Sequence, residues 1–144
     1  MRRRLHGIVS LLLVCCAIAL AVWVTFHHSL AWGLFSVGAI AVGFVAVLFA
    51  ACTKCPCRHA CAHVFVGRLT RFLPKRIPAP YTTAELLVVL ASLAVIVLPP
   101  QRWLWEHRSL FAIYWALFAI AGLQIHLRVC RGCGNTLCPK RRPA

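Results

Sequence analysis

The chain has 144 residues, 62% of them hydrophobic and only 12% charged, about half the charged fraction of a soluble domain. Sixteen Lys and Arg stand against two acidic residues, a formal charge of +14, yet the cations cluster between apolar runs, the pattern of short membrane-protein loops and not of a nucleic-acid-binding face. Two carboxylates leave little general acid–base chemistry, and no phosphate loop, nucleophile elbow, zinc-protease helix or paired-carboxylate motif is present, so an autonomous enzyme is not expected.

Arg2, Arg3 and Arg4 precede an apolar run from Leu5 to Phe26 that lacks Lys, Arg, Asp and Glu. The run exceeds the roughly 7–15 residues of a signal-peptide core and no Ala-x-Ala site closes it, so it reads as a retained membrane helix oriented by the arginines. His27, His28 and Ser29 form a tight turn into a second run, Leu30 to Ala51. Either run is long enough for a hydrocarbon core about 30 Å thick at roughly 1.5 Å per residue. A third run, Leu86 to Leu98, is shorter. Thr82 and Glu85 have capping-box spacing at its start, and Pro99-Pro100 with Trp103 and Trp105 suit an interfacial terminus at its end. A fourth run covers Leu110 to Leu127.

With four spans, every Lys and Arg except Arg102 and Arg108 falls on one side. The bias that keeps short basic segments inside then assigns both termini and the middle loop to the cytosol. The expected organisation is a first transmembrane hairpin at 1–51, a cytosolic Cys-rich basic loop at 52–84, a second hairpin at 85–129 and a cytosolic Cys-rich basic tail at 130–144. This is an all-α, four-helix protein, multi-pass in the bacterial inner membrane. The two halves share a layout: out through one helix, a turn bearing His (His27 and His28, then His107), back through a second, and then Cys-x-x-Cys. That is the layout of a parallel duplication.

Seven cysteines lie outside the apolar runs. The loop carries Cys52, Cys55, Cys57 and Cys61, with His59 and His63 nearby, and the tail carries Cys130, Cys133 and Cys138. In a reducing cytosol such thiols point to metal binding or redox chemistry and not to disulfides. Two-residue spacing lets one tight turn aim both thiolates at one ion, and flanking Lys and Arg favour the thiolate form. Two Cys-x-x-Cys pairs suit a tetrahedral zinc site, with Cys133-Gly134 like a zinc-ribbon knuckle. Alternatively, Cys55-Pro56 and Cys138-Pro139 suit an iron–sulfur cluster, although one residue and not two separates Cys55 from Cys57. Cys15 and Cys16 in the first run read most simply as small buried apolar-like residues; the functional alternative is a soft-metal relay, architecturally similar to mercuric-ion transport proteins. Bis-histidine haem ligation lacks a helix that offers two inward histidines. Glu85 reads as a helix-start residue, and 74–80 as a stiff basic approach to the third helix, near anionic headgroups.

Cys-x-x-Cys-Pro at 52–56, Gly67, Arg76-x-Pro78-x-Pro80-x-Thr82-x-x-Glu85 and Cys130-x-x-Cys133-x-Asn135-x-x-Cys138-Pro139 together resemble a group of uncharacterised bacterial cysteine-rich four-helix inner-membrane proteins. A looser similarity is to polyferredoxin-type membrane quinol dehydrogenases, which also join about four helices to cytosolic Cys-Pro motifs. The expected function is a membrane scaffold or accessory subunit with a cytosol-facing cysteine site for zinc. The alternatives are an iron–sulfur electron-transfer subunit working with a membrane or cytosolic redox partner, and a soft-metal transporter using Cys15 and Cys16. The expected surroundings are the lipid bilayer and its anionic headgroups, with no nucleic acid.

Overall fold

A computed structural model describes residues 2–57, 61 and 64–130, which are mostly helical with no strand among them. The elements are α1 (Arg2–His28), α2 (Leu30–Val47), a short α3 (Val64–Leu69), α4 (Thr83–Val97), a single-turn α5 (Gln101–Leu104) and α6 (Arg108–Gln124). Both α2 and α6 run on without a break into π-helical turns, Leu48–Cys52 and Ile125–Cys130. Three continuous segments are long and apolar enough to cross a membrane: Arg4–His28, Leu30–Cys52 and Arg108–Cys130. Helix α4 is apolar but shorter.

Along α1, α2 and α4 mostly small residues pack inside and large apolar residues face out, the reverse of a water-soluble bundle. The buried stripe of α1 includes Gly7, Ser10, Ala17, Ala21 and Val24, and that of α2 is Gly33, Ser36 and Gly43. Leu12, Leu34, Phe35, Val42, Leu90 and Leu123 point outward. Lipid is as apolar as leucine, so helices gain by close backbone approach at small residues and not by hiding large ones. Three of the hydroxyls inside the seams bond back to their own helices: Ser10 to the Gly7 carbonyl at 3.1 Å, Thr25 to Val22 at 2.9 Å and Ser92 to Val88 at 2.7 Å. No solvent is needed to satisfy them.

Helix α1 packs on both α2 and α6, and α4 lies along α2. The α1–α2 hairpin turns at Ser29, where a Cβ on Gly33 would run into the Phe26 ring. The largest interior cluster joins Ala17, Ala21 and Val24 of α1 to Trp103, Leu104 and Tyr114. The C-terminal half of α1 therefore meets the start of α6, and the two run antiparallel. One end of the bundle, the apex, holds His28 and Trp103; the other, the base, holds the start of α1 and the ends of the two π-turns.

Trp103 is buried at the apex, with its ring 5.2 Å from Trp32 and 5.3 Å from His28, and links the α1–α2 turn to the α4–α6 connection. Trp105 is exposed. Cys15 and Cys16 differ from the expected burial: both are exposed on the outward face of α1, because Ala17 and Ala21 occupy the seam.

Candidate functional site

The base gathers the chemistry-bearing side chains around the carboxylate of Glu85. Thr82 and Glu85 form the expected capping box: Glu85 N–H donates to Thr82 Oγ1 at 3.3 Å, and Thr82 N–H donates to Glu85 Oε2 at 2.9 Å. The carboxylate also takes two cations that the sequence does not pair with it. Lys54 Nζ donates to Oε2 at 2.8 Å and lies 2.8 Å from Oε1, and Arg76 Nη2 lies 2.9 Å from Oε1. The only prior signal was stoichiometric, since a chain with two acidic residues has few places to satisfy a buried lysine. The Lys54 hydrogen bond, followed by the Thr82 backbone N–H, holds the Glu85 carboxyl down at about 2.

This cluster fastens the middle loop to the bundle. Lys54 sits within the cysteine motif, Arg76 ends the basic stretch, and Arg76 also lies over the Phe49 ring, 5.5 Å from its centroid. Tyr81 O–H donates to the Ala51 carbonyl at 3.0 Å, binding the approach of α4 to the π-turn that closes α2. Thr53, buried, donates to the Phe49 carbonyl at 2.6 Å, and its N–H reaches Leu48 at 3.2 Å, the long step of a π-turn.

Cys52 is the last residue of that π-turn, and Cys55 N–H donates to its carbonyl at 3.2 Å, so Cys52–Cys55 is a closed turn. Cys52, Cys55, Cys57, Cys61 and Cys130 are all half-buried. Cys130 likewise lies in a π-turn, Ile125–Cys130, which packs on α1 and reaches the end of the described residues. The two hairpins thus deliver the first thiol of each Cys-x-x-Cys to one end of the bundle by the same local device. Single π-turns inside α-helices are uncommon and recur at functional positions.

Among the described residues, no three Cys, His, Asp or Glu side chains converge on a point where they hold a metal. Cys133, Cys138, His59 and His63 lie outside the described residues. The one side-chain carboxylate at the base is engaged by Lys54 and Arg76, which leaves thiols and the imidazoles of His6 and His126 as donors there, a set that suits a thiophilic ion such as zinc. At the apex, His27 packs on Trp23 and His28 on Trp103, neither in the paired-imidazole arrangement that haem requires.

No protein-family model, curated protein or solved structure matches the chain.

Proposed function

We propose that the chain is a four-span protein of the bacterial inner membrane, with both termini in the cytosol, whose base carries a thiolate metal site that ties its two hairpins together. The carrying observation is the pair of π-turns that place Cys52 and Cys130 at the same end of the bundle. Cys52, Cys55, Cys57, Cys61, Cys130, Cys133 and Cys138 are the proposed ligand pool, and zinc is the favoured ion. Zinc accepts four thiolates without redox demands, and two Cys-x-x-Cys turns supply them. Such a clamp would fix the cytosolic face for a partner, making the protein a scaffold or accessory subunit. The Glu85 cluster supports this reading because it already anchors one cysteine turn to the bundle.

The iron–sulfur alternative uses the same thiols, so one experiment separates the two. Elemental analysis and a visible spectrum are taken on protein purified anaerobically. About one zinc per chain in a colourless sample supports the clamp; about four irons with acid-labile sulfide and a brown band replaces it with electron transfer. Zinc content is then measured in C52S/C55S and C130S/C133S. A shared site loses all its metal in either variant, whereas independent sites each lose part. The transport alternative needs Cys15 and Cys16 to line a path, and their exposure on the outward face of α1 gives that reading no support from packing.

A further inference from the structure

We infer that residues 65–77 form a membrane-surface anchor that lays Phe65, Phe72 and Ile77 into the headgroup–acyl boundary while Arg68, Arg71 and Lys75 bind anionic lipid headgroups. The segment packs with its polarity reversed. Gly67 and Thr70 are buried and Thr70 Oγ1 donates to the Gly67 carbonyl at 2.9 Å. The large apolar side chains point away from the protein instead, Phe65 61%, Phe72 88% and Ile77 85% exposed. In water that arrangement leaves apolar area uncovered for no gain.

Charge names the occupant. Arg68, Arg71 and Lys75 are exposed, and the chain has only two acidic side chains. Glu85 is engaged by Lys54 and Arg76, and Glu106 lies at the apex, beyond α4. These three cations have no carboxylate side chain within reach in their own protein, so their counterions come from outside it. Aromatic side chains interleaved with Arg and Lys on a short amphipathic segment suit a bilayer surface with acidic headgroups.

Position supports the contact. The segment begins with α3, which touches α1, and its far end is held by the Arg76–Glu85 contact at the first turn of α4. In the chain it lies between Cys52, where the second membrane-spanning segment ends, and the start of α4, both at the base. An anchor here would hold the cysteine loop against the membrane plane, and it does not depend on whether those cysteines bind metal.

The test is amide hydrogen exchange of residues 64–73 in the full-length chain, reconstituted in nanodiscs of phosphatidylcholine alone or with about 30% phosphatidylglycerol. Each cation near an anionic surface is worth about fivefold in local binding, so exchange is expected to slow about tenfold or more in the anionic discs. R68Q/R71Q/K75Q, or about 0.5 M salt, is expected to abolish that difference. F72S/I77S should speed exchange in both lipids, because it removes the apolar component. Unchanged exchange in α1 establishes that each variant is folded. Equal exchange in the two lipids, or a lipid effect untouched by the triple variant, overturns the proposal. So does slowing that requires an added soluble polyanion such as single-stranded RNA.

Discussion

Glu85 shows how one side chain serves two levels of structure. Its backbone and carboxylate complete a local capping box that the Thr82-x-x-Glu85 spacing makes legible. The same carboxylate takes Lys54, thirty-one positions away, a pairing that no local pattern encodes. Lys54 is 8% exposed, and a buried ammonium without a partner is costly. E85Q is therefore expected to lower the thermal midpoint in detergent more than K54M, since K54M still leaves Arg76 on the carboxylate. The pH dependence has a definite sign. The folded Glu85 carboxyl is held at about 2, below the ordinary value of 4.5, so its contribution is complete above about 4.5 and is lost as the pH falls toward 2. Melting curves of wild type and E85Q should converge over that window and stay separate near neutral pH. A constant gap down to pH 2 would mean that the ion pairs contribute nothing.

The helices themselves were legible because an apolar run unbroken by charge is a strong signal, whereas their faces were not. In α2 and α4 nearly every position is apolar, so no amphipathic stripe distinguishes a packing face from a lipid face. Small residues make the distinction instead. A Cβ on Gly43 would come within 3.0 Å of Ile96 Cγ1 and 3.2 Å of the Ser92 carbonyl oxygen, while one on Gly38 meets nothing within 4 Å. G43L is expected to cost about 1–3 kcal/mol by overpacking the α2–α4 seam. G38A should be neutral or stabilise by up to ~1 kcal/mol, because alanine is the better helix former. Reversible unfolding in mixed micelles measures both, and equal effects would place the seam elsewhere. The π-turns escaped sequence reading for a related reason: a single shifted hydrogen-bond register, Leu48 to Thr53, leaves no signature in residue type. Their repetition adds to the two-hairpin layout a structural likeness that a residue-by-residue comparison of the halves does not show.

At the scale of the whole molecule, the number of crossings decides where every cysteine lies, and α4 is the hinge of that question. Fifteen residues span only about 22 Å, short of a core about 30 Å thick. Yet α4 starts at the base, bonded through Glu85 to the loop after α2, and ends beside the interior cluster on which Val97 packs. It therefore runs along the bundle beside three full-length apolar segments, with Leu98 and the proline turn extending it at the apex. The distribution of Lys and Arg independently favours the proposed fourth crossing, because a chain crossing three times would export the tail holding Arg131, Lys140, Arg141 and Arg142. Single-cysteine variants retaining Cys57 or Cys138, probed with a membrane-impermeant maleimide on intact spheroplasts, test the crossing count directly. With four crossings neither thiol reacts until the membrane is permeabilised, while a cysteine placed at Gln101 reacts from outside at once. With three crossings Cys138 reacts in intact spheroplasts and Cys57 does not. That result would also end the shared-metal reading, since thiols on opposite sides of a bilayer cannot ligate one ion.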